Sequence, residues 1–477
     1  MHTDEKTRRI KYFRFCSEWT AEISFVLDRS LLSCPPTLGT NYGTIKDELQ
    51  QLYLDDPRPW LIGFSGGKDS SMVASLVFDV VLSLAPEQRI KPIAILCTDT
   101  RVEIPAIVEM VETTLAKMQK FSQANDLKIE VHLLRPPTEQ SFWVNVIGRG
   151  YPPPNRVFRW CTSRLKIDPM SQFVEKWIGR WGEAIFHLGA RRAESSRRAQ
   201  GMAKHETRNG LRRHSDLPRV WISNPIEHLT TGEVWAYLLQ KAPPWGGNNR
   251  ELYRLYADAS GGECPVQIEA NSASCGNSRF GCWTCTVVDK DKASEGLLAA
   301  GDERMEQLIT FRDILLTVRD PENGYRDARR MNGDAGNGPL HIAARRELLS
   351  RLLQLQEDTG LKLISEEELL LIQKHWNAAR NPDNGSGVAR IVREQNGIMT
   401  NDIEHIDQLR ALEEKVCAEK GVSHEGLRRL LGKVEDYSES HRAMGLPDEL
   451  MRILKDELEQ STLKDEIAEP VAIEESA

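Results

Sequence analysis

The stretch that most limits how this chain can fold is Trp60-Leu-Ile-Gly-Phe-Ser-Gly-Gly-Lys-Asp-Ser-Ser71. Trp60 to Phe64 reads as a short buried strand. After the two glycines, Met72, Val73, Leu76, Val77, Val80 and Val81 recur at helical spacing. A strand that runs through Ser-Gly-Gly straight into a helix opens a βαβ unit. Ser65 is placed near the helix start as a cap. The alternation then repeats. Strands are predicted at Pro92 to Leu96, Ile129 to Leu134 and Ala184 to Leu188, and helices at Ile104 to Phe121 and Lys166 to Trp181. Thr230-Thr-Gly-Glu233 is a capping box that opens a helix through Leu239. Strands alternating with helices predict an α/β fold around a mostly parallel sheet.

The remaining segments differ in composition. Residues 1–55 read as a helical lead-in that carries Cys16 and Cys34 without a motif. Residues 56–262 hold the α/β domain. Residues 263–287 are rich in Gly, Ser, Asn and Cys, a loop that needs a staple. Residues 288–455 are predicted helical, with a Leu- and Arg-rich segment from Arg345 to Gln356. A second capping box, Ser365-Glu-Glu-Glu368, opens a helix through Arg380, and a break follows at Asn381 to Gly387. Residues 456–477 form an acidic tail predicted to be disordered. That tail has eight acids and one lysine, net −7, so of the chain's −8 only −1 belongs to the rest. Bulk charge therefore does not mark a nucleic-acid binder. No apolar run approaches the roughly 18 residues of a membrane span, and the N-terminus lacks a signal-peptide core. The expectation is a soluble cytoplasmic protein with no membrane partner. Nine cysteines in a long chain do not read as a disulfide framework.

The glycine-rich string departs from a Walker A loop, G-x-x-x-x-G-K-[ST]. Position 62 is Ile where that loop has its first Gly, and Asp69 follows Lys68 where it has Ser or Thr. The chemistry still fits an oxyanion. Glycines at 66 and 67 let backbone N–H groups approach closely, and a helix N-terminus adds free donors and partial positive charge. Lys68 adds a full charge, and Ser70 and Ser71 add hydroxyls. Asp69 would repel a phosphate directly and is expected to work through Mg²⁺. The competing reading is a tight strand–helix turn with an exposed lysine.

The string resembles the pyrophosphate loop (PP-loop) of the ATP pyrophosphatase superfamily. The resemblance implies an adenine-nucleotide alpha-hydrolase-like fold and cleavage of ATP between its α and β phosphates, with Ser65, Gly66, Gly67, Lys68, Asp69, Ser70 and Ser71 around the leaving group. After the fourth strand, Gly189-Ala-Arg-Arg-Ala-Glu-Ser-Ser-Arg197 resembles the G-x-R-x-x-E-S-x-R motif of phosphoadenosine-phosphosulfate reductases. This places Arg191, Arg192, Glu194, Ser195 and Arg197 among the nucleotide-binding candidates. Forked guanidinium donors suit phosphate and sulfate oxygens. The alternative for Arg191 and Arg192 is a solvated basic turn. Arg159-Trp-Cys161-Thr, with Lys166 five residues on, resembles another segment of that family.

Cys264, Cys275, Cys282 and Cys285 are spaced C-x10-C-x6-C-x2-C. One close pair with two further thiols suits four-thiolate binding of a [4Fe–4S] cluster or zinc. Zinc ribbons usually use two close pairs, which favours the cluster, with zinc kept as the alternative. Cys161 sits apart in the sequence. It reads either as a packed thiol or as a sulfur carrier near the nucleotide. Cys16, Cys34, Cys97 and Cys417 read as structural.

The loop, the arginine segment, the Arg279-Phe-Gly-Cys-Trp-Thr-Cys-Thr286 turn, Tyr325-Arg326 and Gly338-Pro-Leu340 occur in an order that resembles the DndC family of bacterial DNA phosphorothioation. The resemblance covers roughly residues 55–390. It implies ATP, Mg²⁺ and a [4Fe–4S] cluster as cofactors. The implied reaction replaces a non-bridging oxygen of the DNA backbone with sulfur. The implied partners are DNA, a cysteine desulfurase as sulfur donor, and other Dnd proteins including an ATPase. The implied catalytic residues are Lys68, Asp69 and Cys161. From Arg191 to Arg213 there are eight basic and two acidic residues, net +6, a run that could track a DNA backbone or be a solvated loop. Other readings are a phosphoadenosine-phosphosulfate or adenylyl-sulfate reductase, a tRNA thiolase of the same superfamily, and a non-catalytic zinc scaffold.

Overall fold

The computed structural model describes residues 42–194, 210–259, 281–330, 334–378 and scattered positions between 387 and 455. Expectations for Cys16, Cys34, Ser195, Arg197, Cys264, Cys275, most of the 381–387 break and the acidic tail fall outside these residues. So do the side chain of Glu194 and much of the basic run.

Among the described residues six strands form one sheet: β1 (Trp60–Gly63), β2 (Ile93–Thr98), β3 (Ile129–Leu134), β4 (Ala184–His187), β5 (Arg212–Arg213) and β6 (Val220–Ser223), in the spatial order β3-β2-β1-β4-β6-β5. All neighbours are parallel except β5, which pairs antiparallel with β6. The first four strands fall where hydrophobic patterning predicts them. The fold is α/β, as expected.

Helices cover both faces, which is why the central strands β1 and β2 read as continuous apolar runs rather than alternating ones. On one face Trp60, Ile62, Ile93, Ile95 and Ile185 pack under helices α2 (Lys68–Ser83) and α3 (Pro105–Ala124). Helix α1 (Tyr42–Asp55) lies against α2 through Leu49 and Tyr53. On the other face Leu61, Ala94, Leu96, Ala184 and Phe186 meet Val174, Trp177 and Ile178 of α4 (Asp168–Trp181). Burying every apolar face of the sheet is the largest favourable contribution to this architecture.

From β1 the chain winds outward through β2 to β3, then returns to place β4 on the other side of β1. The direction of winding reverses between β1 and β4, and ligands of open α/β sheets bind outside the carboxyl ends of the strands at such a point.

Helix α5 (Thr231–Gln240) starts at its predicted capping box, where the Glu233 N–H donates to Thr230 Oγ1 and the Thr230 N–H returns to Glu233 Oε2. It is followed by α6 (Arg250–Asp258), which the sequence reading missed. Helices α7 (Lys292–Ala299), α8 (Arg304–Arg319), α9 (Ile342–Thr359) and α10 (Glu366–Ala378) follow in the described C-terminal part. The second box is also present, with the Glu368 N–H on Ser365 Oγ and the Ser365 N–H on Glu368 Oε2. These helices share a core with the sheet. Trp143 Nε1 donates to Leu363 O at 2.8 Å, and Trp376 Nε1 donates to Ile147 O at 2.8 Å. Among the described residues no helix is long and apolar enough to cross a membrane.

Candidate active site

The Ser65–Ser71 loop leaves the carboxyl end of β1 and enters α2. Gly66 has φ +72°, and a Cβ there would stand 2.3 Å from Val111 Cγ2, so both backbone shape and space require glycine. The helix is capped by Gly67 and not by Ser65. Ser70 turns back instead: its hydroxyl donates to Gly67 O at 3.0 Å and accepts from the Ser65 N–H at 3.1 Å. Ser65 Oγ lies 3.2 Å from Ser70 Oγ. The Ser70 hydroxyl, expected to face a ligand, thus braces the loop from inside.

The loop after β4 closes on this one. A Cβ on Gly189 would sit 2.8 Å from the Asp69 carbonyl carbon and 2.9 Å from Ser70 N, so only glycine lets the two backbones meet. Arg191 is 2 % exposed. Its Nε donates to Asp69 Oδ1 at 2.6 Å, while Nη1 and Nη2 reach Leu229 O and Thr231 Oγ1 at 3.1 and 3.2 Å. Asp69 Oδ2 accepts from Lys68 Nζ at 2.9 Å. Each Asp69 oxygen therefore has a cationic partner and keeps lone-pair capacity for a metal ion. Tyr256 of α6 completes the surround. The Lys68 N–H donates to its hydroxyl at 3.3 Å, and Lys68 Nζ lies 5.3 Å from its ring. Burial pushes the Tyr256 hydroxyl well above the usual phenol range, so it stays protonated. Residue 256 had no sequence signal beyond its place on an unpredicted helix.

The remaining arginines are used differently. Arg192 is exposed and pairs with Glu227 at 3.1 Å, and Arg212 reaches the other oxygen of Glu227 at 2.7 Å. Arg191, Arg192 and Arg212, three members of the basic run, are thus held by Asp69 and Glu227. A cavity of about 950 Å³ opens beside Glu227, between α1 and the loop after β6, with Arg58, Trp221 and His228 in its wall. It includes no residue of the Lys68 loop.

A second cluster gathers at the carboxyl end of β2. Cys282 forms an antiparallel bridge with Glu103, and the Trp283 N–H donates to Val102 O at 3.0 Å. The Cys285 N–H donates to Cys282 O at 3.0 Å, closing the C-x2-C turn, and Cys282 Sγ lies 3.3 Å from Thr100 Oγ1. Lys166 Nζ lies 3.3 Å from Glu103 Oε1. Burial works to lower the Lys166 ammonium, but the neighbouring Cys282 and Glu103, the latter also through a hydrogen bond, outweigh it and raise it to about 12. Burial pushes the Cys282 thiol up to about 12 against the pull of Lys166. Cys97 is likewise pushed up to about 12, by burial and then by Glu103 and Asp99, and remains an inert thiol.

Cys161, which stands far from the other thiols in sequence, does not stand apart in the fold. It begins a π-helical turn, Thr162–Ile167, that also carries Lys166. Its thiol is raised by burial first, relieved by hydrogen bonding to Thr162, and raised again by the neighbouring Cys285. Cys161, Lys166, Cys282 and Cys285 therefore share one neighbourhood.

The C-x2-C turn is fastened from below by α8. Arg312, 3 % exposed, donates through Nε to Cys285 O at 2.7 Å and through Nη2 to Val288 O and Asp289 O. Arg319 Nη1 donates to Thr286 O at 2.5 Å. The signal for Arg312 is its place among Leu308, Phe311 and Leu315, on the buried stripe of α8, where a charge is out of pattern. Cys264 and Cys275 lie outside the described residues, and among those described no three His, Cys, Asp or Glu side chains are placed to hold a metal ion. The two described thiols fit a sulfur-ligated centre in donor type and in the closed turn that presents them.

Residues 59–288 match the phosphoadenosine phosphosulfate reductase domain. An uncharacterized protein of Methanocaldococcus jannaschii is 27% identical over 203 residues, 43% of this chain and 35% of that protein. The chain thus spans about a third of the length of that relative. Among solved structures, the phosphoadenylyl-sulfate reductase of Candida auris is 12% identical with a TM-score of 0.29, covering 44% of this chain and 85% of its own. The U34-tRNA thiolase NcsA of Methanococcus maripaludis, solved with its [4Fe-4S] cluster, is 10% identical with a TM-score of 0.24, covering 64% and 87%. Those low scores add nothing to the geometry above. The profile match, the parallel sheet and the paired loops after β1 and β4 identify residues 59–288 as a phosphoadenosine phosphosulfate reductase-like domain.

Proposed function

We propose that this protein is an ATP pyrophosphatase that activates a DNA backbone phosphate for replacement of a non-bridging oxygen by sulfur, as the DndC family does. The observation that carries the ATP step is the locking of the Lys68 loop to Arg191 through Asp69 at the reversal between β1 and β4. The loop joins a helix N-terminus, the start of α2, to the full charge of Lys68, an arrangement suited to a pyrophosphate leaving group. Asp69, held by Lys68 and Arg191, is the residue for Mg²⁺.

In this reading a DNA phosphate oxygen attacks the α-phosphorus of ATP and pyrophosphate leaves. The outer sulfur of a Cys161 persulfide, supplied by a cysteine desulfurase, then attacks the DNA phosphorus and displaces AMP. A second thiol cleaves the resulting P–S–S–Cys bond, leaving the phosphorothioate and a disulfide that an external thiol reduces. Cationic side chains lower the barrier between two anionic centres. Cys161, beside Lys166, is the residue for sulfur transfer. Lys166 favours its thiolate, and burial opposes it. A [4Fe–4S] cluster on Cys264, Cys275, Cys282 and Cys285 would supply redox or sulfide chemistry next to that thiol. The order of motifs from the Lys68 loop to Leu340 supports DNA as the substrate, and other Dnd proteins, an ATPase among them, are the proposed partners.

The test is mass spectrometry of nuclease-digested DNA from cells carrying the wild type or Lys68→Ala. Phosphorothioate should disappear in the variant, and unchanged levels would refute the role. Purified protein should release pyrophosphate from ATP; a protein that reduces an activated sulfate without ATP is a reductase instead.

A further inference from the structure

Next to the cysteine turn the chain displays an apolar tip between two arginines. Val157 is 97% exposed and Phe158 46% exposed. Arg156 and Arg159, also exposed, flank them. From Arg156 to Lys166 there are four basic residues and no acidic one. Large apolar side chains on a loop tip are unfavourable in water unless something covers them.

This tip is built to be rigid. The N–H groups of Val157 and Phe158 both donate to Asn155 Oδ1, at 2.9 and 2.7 Å, and the Asn155 N–H donates to Phe158 O at 3.2 Å. Pro152, Pro153 and Pro154 form its stem. Trp160 Nε1 donates to Pro152 O at 3.0 Å, and the buried Thr286 Oγ1 donates to Pro154 O at 2.6 Å. The last bond ties the tip to the Cys282–Cys285 turn, and Cys161 follows two residues after Arg159. Arg156 pairs with Asp289 at 3.0 Å, but both side chains are over 70% exposed, so a phosphate can compete for the guanidinium. The pair also brings Val288, itself 44% exposed, alongside.

Resting on the reading of DNA as substrate, we propose that Arg156-Val157-Phe158-Arg159 is a wedge that enters duplex DNA at a base step beside the phosphate to be modified. The two arginines hold the flanking phosphates, and Val157 and Phe158 contact the unstacked bases. Rigid apolar side chains between cations are the means by which proteins open a base step and kink a duplex, and the arginines supply the salt-dependent part of the affinity. Opening the step next to the sulfur-transfer cysteine would expose a backbone phosphate that a stacked duplex holds in regular geometry.

The experiment uses the full chain and a duplex carrying 2-aminopurine, with tRNA as competitor. Wild type should bind and raise the 2-aminopurine fluorescence. Val157→Ser/Phe158→Ser should lose that rise and bind about tenfold more weakly, with the same salt dependence. Val157→Ser alone, at the more exposed position, guards against a folding defect and should show part of the loss. Arg156→Gln/Arg159→Gln should lower the slope of log K against log salt by about two. A wild type that binds the duplex while the apolar variants bind it equally well and with the same fluorescence overturns the wedge but spares DNA as substrate. A wild type that binds tRNA and not the duplex overturns both.

Discussion

The Asp69 carboxylate is gripped from two loops at once, by Lys68 beside it at 2.9 Å and by the buried Arg191 from the loop after β4 at 2.6 Å. Removing Arg191 would leave Asp69 half-paired next to a helix start. Arg191→Met is expected to cost about 3 kcal/mol of stability, read from urea unfolding. In a double variant with Asp69→Asn the losses should add to less than their sum. Full additivity would mean that the two residues act separately.

Gly189 faces the backbone of Asp69 and Ser70, and backbone cannot swing aside as a side-chain end can. Gly189→Ala should cost about 1–3 kcal/mol and weaken ATP binding by displacing the Lys68 loop. Calorimetry and nucleotide titration read the two effects. Wild-type affinity in the variant would show that the loops are not coupled.

Arg312 supplies donors to the Cys285 carbonyl of the cysteine turn and to those of Val288 and Asp289 just after it. Arg312→Met removes these part-buried hydrogen bonds together with the buried charge, at about 1–3 kcal/mol. The predicted readout is metal content: after anaerobic reconstitution the variant should hold less iron and acid-labile sulfide than the wild type. Arg312→Lys should restore part of it. A full complement of iron in Arg312→Met would limit Arg312 to packing.

His187 is wholly buried, with its ring 4.3 Å from Trp60. Burial, and then the charge of Lys91, lowers its imidazolium to about 3. Between that value and the ordinary 6.5 the unfolded chain binds a proton that the folded one does not, so stability falls as pH drops through this window. From pH 7 to pH 5 this group alone should remove about 2 kcal/mol. His187→Phe keeps the ring contact and should flatten the pH dependence of urea unfolding by that amount. An unchanged dependence would assign acid sensitivity to other groups.

What the sequence revealed and what it hid follow from how each feature is encoded. Strands β1 to β4 and the helices between them repeat locally, so apolar spacing was enough to find them. The two capping boxes are four-residue signals and were found for the same reason. Strand β6 has only four residues and β5 two, too short for any period to register. Ser65 looked like a cap because it is a serine just before a helix, but Gly66 turns the chain in the left-handed region and Ser70 takes the hydroxyl. The approach of Cys161 to Cys285 joins positions far apart in the chain, and no local pattern records it. The same holds for Tyr256 on Lys68.

The hydrogen bonds from Trp143 to Leu363 and from Trp376 to Ile147 carry one more implication. The likeness to the reductase domain ends at residue 288, but the hydrophobic interior does not. The end of a resemblance and the end of a folding unit are different borders here. The matched segment is built into a larger body, and any transplant of it to another protein would have to bring along the later helices that share its core.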